Sequence, residues 1–173
     1  PTNARTIYKG LLFVGDLPLA ESSMKDHPLT PMRDSSLIRL MAAQSRYPVG
    51  LIPLQVVRKG PDAVRDAIAS LRAEGVRYGV ADAVFDEDLR VLGAAARDHR
   101  LITGGSGIAM GLPANLRDAA MLGAAGAATV PVVEGRAVVF AGSCSTATLG
   151  QIAAVKDEWP TARIDVDRVA AGE

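Results

Sequence analysis

One cysteine occurs in 173 residues, which excludes a disulfide within the chain and points to a reducing, cytoplasmic setting. The two histidines, His27 and His99, lie far from each other and from Cys144, so no zinc-ligand spacing is present and no metal site is expected. No apolar run approaches the ~20 residues of a membrane-spanning helix. No stretch reads as a signal peptide. There is no Lys/Arg run, and 19 basic residues balance 19 acidic ones. That balance argues against nucleic acid as a partner, and the missing apolar run argues against a membrane. An initiator Met is also missing, and the last residues fall where a new unit begins, so a piece of a longer protein is expected.

What is present is an Ala/Val/Leu-rich chain, 49% apolar but only 4% aromatic. Its length fits one domain or one and a part. Thr6–Val14 is β-branched and aromatic enough for a strand, with a turn at Gly15-Asp16. His27-Pro28-Leu29-Thr30-Pro31-Met32 reads as an ordered loop, with Arg33 and Asp34 beside it. Asp34 or Ser35 can cap a helix whose apolar face carries Leu37, Leu40 and Met41. Val49–Leu54 is a strand, with Pro53 marking its end or an edge. Gly60-Pro61-Asp62 opens a second helix, and Gly75 suits the position just past its end.

Val76–Ala83 is the next strand, with Asp82 at its carboxyl end. Asp86-Glu87-Asp88 starts a third helix, where the dipole favours acids. Leu101–Thr103 is a further short strand running into Gly104-Gly105-Ser106-Gly107. Strand and helix alternate with connections long enough for crossovers, so the fold class is α/β, a parallel sheet with flanking helices built from βαβ units. Ligands in such sheets bind beyond the carboxyl ends of the strands, where Pro53-Leu54, Asp82 and the glycine turn should lie. The small-residue stretch 119–129 reads as helix or linker. The expected organisation is 1–118 as one domain, 119–134 as a linker and 135–173 as the start of another. In that last part Arg136–Ala141 and Arg163–Val166 read as strands around a helix within Ser143–Glu158.

The glycine turn matches none of three common motifs. A Walker loop needs Lys-Ser/Thr at its end. A nucleophile elbow needs glycine where Ile108 stands. A dinucleotide fingerprint needs one residue fewer between Gly107 and Gly111. What remains is either a tight turn that needs small residues or a cradle for a carboxylate, phosphate or hydroxyl, with Ser106 as an added donor. Gly142-Ser143-Cys144-Ser145-Thr146-Ala147-Thr148 sets four hydroxyls around one thiol. The hydroxyls suit helix caps or phosphate contacts, and Cys144 reads as a buried small residue or as a nucleophile with no evident base. His27 reads as a ligand contact, a base or a loop-ordering residue. His99 reads as structural, near a helix C-terminus. Asp82 reads as a base, a hydroxyl ligand or a turn cap.

Together the segments Thr6–Asp16, His27–Met32 with Asp34, Val49–Ile52, Asp82-Ala83, Leu101–Gly107 and Ala141–Ser145 with Thr148 and Gln151 resemble the four-carbon acid sugar kinase family. They run in the family's order over nearly the whole chain. The resemblance implies part of a two-domain kinase that uses ATP, with Mg²⁺, to phosphorylate the terminal hydroxyl of a 3-oxo-tetronate or threonate-type acid. It implies that His27, Thr30, Asp34, Asp82, Gly104, Gly105, Ser106 and Gly107 face the acid sugar. Ser143, Ser145 and Thr148 would lie on the ATP side. The family's opening Asp-Asp-x-Thr-Gly segment and its later glycine-rich nucleotide motifs have no match here, so no residue is assigned as the catalytic base. The resemblance therefore implies the later part of the acid-sugar domain and the start of the nucleotide domain, with homo-oligomers allowed. Two other readings stay open: a non-catalytic sugar-acid-binding module, and a dinucleotide-dependent oxidoreductase resting on the imperfect glycine spacing.

Overall fold

The computed structural model describes residues 4–27, 29–123, 126, 129, 131–143 and 145–172. It divides into two compact units, Pro1–Gly126 and Ala127–Glu173. Among the described residues no helix is long and apolar enough to cross a membrane.

The first unit begins with an antiparallel sheet of β1 (Arg5–Tyr8), β2 (Leu11–Val14) and β3 (Leu17–Pro18). The run expected as one strand is thus a hairpin, broken at Lys9-Gly10. Both turn residues have positive φ, +51° and +72°, the twist that joins two strands through two residues. The positive φ favours glycine at position 10, and a Cβ there would also lie 2.8 Å from Ile38 Cδ1, so the end of that side chain would have to shift.

Helix α1 (Leu37–Ala43) follows, then β4 (Val49–Ile52) and a single turn, α2 (Leu54–Val57). Pro53 ends β4 and becomes the N-cap of α2, which shortens the expected strand. Helix α3 (Pro61–Ala73) starts on its proline as expected, and Gly75 reverses the chain at φ +83°. Strand β5 (Tyr78–Ala81) pairs parallel with β4, Val49 opposite Tyr78 and Ile52 opposite Ala81. Helix α4 (Asp86–Ala95) then packs beside α3. The β4–α3–β5–α4 order is the α/β arrangement that the alternating pattern predicts.

The core sits between this sheet and α3 and α4. It consists of Ile52, Val57, Val64, Ala83, Leu92 and Ala95, with Ile68, Leu71, Leu89 and Ile108 packed against it. Beyond α4 the chain forms a 3-10 helix, Ser106–Gly111, and then α5 (Leu112–Asp118). Two glycines set its approach to α4. A Cβ on Gly93 would lie 2.5 Å from the Gly111 carbonyl carbon, and one on Gly111 would lie 2.5 Å from Leu89 O. Asn115 Nδ2 donates to Gly93 O at 2.8 Å and closes the contact.

The second unit contains α6 (Thr146–Val155) and α7 (Val166–Ala170). The expected strands at 101–103, 136–141 and 163–166 do not form. Residues 101–103 and 136–141 have β-type composition but pair with no described neighbour, and strand propensity without a partner makes no ladder. At the third, Asp165 Oδ1 accepts from Asp167 N and Arg168 N, which starts α7 instead. Part of the 119–129 stretch lies outside the described residues.

Replacing Gly93 with alanine forces backbone apart across the Gly93–Gly111 crossing, where no flexible side-chain end can yield. A loss of about 2 kcal/mol or more is expected, read as a lower urea midpoint, whereas Gly123→Ala, in open space, should cost less than about 1 kcal/mol.

Candidate functional site

Asp82 follows the last residue of β5 and is 1% exposed. Its backbone N–H donates to Ile52 O at 3.0 Å, which carries the parallel pairing one step further. Its carboxylate accepts three backbone N–H groups: Gly10 N on Oδ1 at 2.9 Å, and Lys9 N at 2.9 Å and Leu54 N at 3.1 Å on Oδ2. Bonds of this kind to an ionised oxygen are about twice as strong as neutral ones. They hold the hairpin turn, the first residue of α2 and the carboxyl end of β5 on one group. Lys9 is a non-glycine residue at φ +51°, a conformation that persists only where the surroundings enforce it.

From the hairpin the structure runs directly to Asp34. Leu37 N donates to Gly10 O at 2.9 Å and Leu12 N to Ser35 O at 2.9 Å. Asp34 Oδ1 accepts from Ser36 N at 2.9 Å, and Arg39 reaches both carboxylate oxygens, Nε to Oδ2 at 2.7 Å and Nη2 to Oδ1 at 2.5 Å. Ser36 Oγ caps α1 by accepting from Arg39 N at 3.3 Å, where sequence had suggested Asp34 or Ser35, two residues or one residue earlier. The hydrogen bonds from Arg39, with that from Ser36 N, lower the Asp34 pKa from 3.8 to about 2.

The loop before it is ordered around His27. His27 N and Met32 N both donate to Met24 O, at 3.2 and 3.1 Å. Leu29 N and Thr30 N point at His27 Nδ1 from 3.3 and 3.2 Å, and Thr30 Oγ1 lies 3.2 Å from the same atom. Two amide donors on Nδ1 make it an acceptor, so the ring proton sits on Nε2 in this arrangement. The Asp26–Arg33 ion pair, 3.0 Å long, is exposed on both sides and adds little.

The Gly104–Gly107 stretch belongs to a different wall. At Gly107 a Cβ would lie 3.1 Å from Leu89 Cδ1, a tight contact that the leucine side chain would have to relieve by a small shift. No such contact arises at Gly105, whose Cβ would meet nothing within 4 Å and whose φ is −66°. Gly104 makes only ordinary contact, 3.4 Å from Ile108 Cγ2. Ser106 is exposed and its hydroxyl has no hydrogen-bond partner among the described residues. Neither packing nor backbone strain demands the first two glycines.

In the second unit Ser145 is the N-cap of α6. Its Oγ accepts from Thr148 N at 3.2 Å and donates to Thr148 Oγ1 at 3.0 Å, while Ser145 N donates to Ser143 Oγ at 3.1 Å. Ser143, Ser145 and Thr148 therefore form one hydroxyl cluster at the start of a ten-residue helix. Cys144 lies outside the described residues. Among the described residues no group of three His, Cys, Asp or Glu side chains could hold a metal ion.

Hydrogen bonds thus join Asp82 through the hairpin to Ser36 and Asp34, and His27 to Thr30. Among the described residues none ties Gly104–Gly107 to either group. Sequence reading gave no individual role to Lys9, Gly10 or Arg39, and named Leu54 only as part of the sheet's carboxyl edge. Lys9-Gly10 carried a signal, an x-Gly pair between two apolar runs, whereas the Leu54 amide is a backbone atom and Arg39 one of many arginines.

The profile of the family described as "Sugar-binding N-terminal domain" matches residues 1–112. The chain belongs to that family. A 3-oxo-tetronate kinase of Burkholderia multivorans is 52% identical over 174 residues, covering 100% of this chain and 41% of its own length. The same name attaches to a Cupriavidus necator protein, 51% identical over 175 residues, covering 100% of this chain and 40% of its own length. The crystal structure of a Haemophilus influenzae protein of the DUF1537 family superimposes with a TM-score of 0.69 at 42% identity, covering 97% of this chain and 40% of that one. The chain spans about two fifths of the length of the curated relatives it matches.

Two outcomes are expected at these carboxylates. Asp82→Asn puts an amide NH₂ where three N–H donors converge, so stability should fall by about 3 kcal/mol in urea unfolding. Asp34 should titrate with a midpoint near 2 by carboxyl-carbon NMR, returning toward 3.8 in Arg39→Ala. Because its folded pKa is depressed, the Asp34 contribution is complete above 3.8 and is lost as pH falls toward 2.

Proposed function

We propose that this chain carries the acid-sugar-binding part of a four-carbon acid sugar kinase, acting on a 3-oxo-tetronate or threonate-type acid. The observation that carries this reading is the 52% identity, over all of this chain, to a protein named 3-oxo-tetronate kinase. The local chemistry agrees with it. Ser106 offers an exposed hydroxyl beside two glycines that packing does not require. His27, with Nδ1 occupied, offers an Nε2–H donor beside Thr30. Both are groups that recognise carboxylates and hydroxyls without covalent chemistry. Asp34, the third group of this reading, is held in place by its bidentate bond with Arg39. In this reading Asp82 acts by placing the turn at Lys9-Gly10 and the Leu54 amide at the sheet's carboxyl edge. Its oxygens already accept three bonds.

In the transfer step the substrate's terminal hydroxyl attacks the γ-phosphorus of ATP, its proton passes to a base, and ADP leaves. We assign no residue of this chain as that base. The ATP side would include Ser143, Ser145 and Thr148, whose hydroxyls and the N-terminus of α6 suit phosphate oxygens. Mg²⁺ would arrive with the nucleotide, bridging its phosphates. Residues 1–118 would then belong to the sugar-acid domain, 119–134 to the linker and 135–173 to the nucleotide domain, in a cytoplasmic enzyme. A second reading, a sugar-acid-binding module without transfer activity, is supported by the description of the matched family, a sugar-binding domain over residues 1–112. Turnover with ATP separates the two.

Ser106→Ala and His27→Ala should each weaken tetronate binding about tenfold in calorimetric titration, with melting temperatures shifted by less than about 3 °C. Unchanged affinity in both variants would overturn the site assignment.

A further inference from the structure

A cavity of about 480 Å³ opens between α3, α4 and the turn after α4, lined by Arg65, Ile68, Arg72, Ala95, Asp98, His99 and Arg100. It lies at the end of the sheet away from Asp82. Helix α3 runs back across β4, ends at Ala73, and Gly75 turns the chain into β5 at Tyr78, so the C-terminus of α3 sits where β5 begins. Ile68 packs on the core and Ala95 is 2% exposed, which gives the cavity an apolar floor. Its rim carries three guanidinium groups and an imidazole.

Arginine near a helix C-terminus has an ordinary explanation, the helix dipole, and that covers Arg72 in the last turn of α3. It accounts less well for His99, expected from sequence at a helix C-terminus, and for Arg100, because they lie three and four residues beyond the Ala96 C-cap of α4. Arg65 is held at the rim from both sides: Nη1 donates to Ala94 O at 3.4 Å and Nη2 pairs with Asp62. The one carboxylate on the rim, Asp98, pairs with Arg97 at 3.5 Å. Among the described residues Arg72 and Arg100 have no ion-pair partner. Two guanidinium groups without ion-pair partners on the rim of one cavity with an apolar floor match the charge of a phosphate better than that of a single carboxylate, which would leave positive charge in excess.

We propose that this groove binds a small, multiply charged anion of the phosphate class, a phosphate ester or diphosphate, at the sheet edge opposite Asp82. The site is independent of the acid-sugar reading, because it shares no residue with it.

Inorganic pyrophosphate titrated into the intact protein at low salt tests the proposal. Saturable binding is expected, weakening as NaCl is added and falling about tenfold or more in the Arg72→Gln/Arg100→Gln double variant. Both arginines are exposed, so the melting temperature should hold, and Arg100→Gln alone gives a second variant with a smaller loss. ATP titrated in parallel into the native protein and the double variant separates the sources: the part of its binding lost in the double variant belongs to this groove, and the part that survives belongs to the Ser143, Ser145 and Thr148 side. ATP binding wholly unchanged in the double variant, with pyrophosphate binding reduced, restricts the groove to free phosphates. No saturation, or the same affinity in the double variant as in the native protein, would overturn the proposal.

Discussion

Three backbone amides from two distant parts of the chain converge on the carboxylate of Asp82. The arrangement of the first unit depends on that convergence. A carboxylate at 1% exposure is tolerable only when its oxygens are occupied, and an amide in a turn or at a helix start is tolerable only when it has an acceptor. Each side solves the other's problem. The hairpin cannot leave the end of β5 without stranding a buried charge, and Asp82 cannot be replaced without stranding three donors.

The consequences spread through short links. The hairpin turn fixed by Asp82 accepts Leu37 N on Gly10 O, so α1 starts in register with it. Ile7 and Ala83 exchange two backbone bonds, at 2.8 and 3.0 Å, which pin β1 beside the residue after Asp82. Asp88 does a similar job one turn later, its Oδ2 accepting from Val84 N and Phe85 N. Arg58 lies 3.8 Å from its other oxygen and stacks over the Phe85 ring. The two buried carboxylates, Asp82 and Asp88, thus fix both ends of the loop that leaves β5.

This order separates scaffold from surface in the candidate site. Asp82 and the Gly93–Gly111 crossing position the walls, one through charge and the other through absent side chains. In the proposed reading His27, Thr30, Asp34 and Ser106 are the surface groups: Thr30 and Ser106 are exposed, His27 and Asp34 half-buried. On that reading a substitution in the first group acts through stability and one in the second through affinity.

Sequence alone was enough for the alternating strands and helices from Val49 to Ala95, because apolar spacing, Pro61 and Gly75 are local signals. It was also enough to place Asp82 at a strand's carboxyl end and the family motifs in order. Only the tertiary structure decided what Asp82 does there, because its partners are backbone amides 28 to 73 residues away that no composition marks. It likewise decided that Gly93 and Gly111 must be small while Gly105 need not be, since that depends on what lies opposite each Cβ. Residues 101–103 and 136–141 show the same limit from the other side. Their composition suits a strand, but a strand exists only where another chain segment supplies its hydrogen bonds.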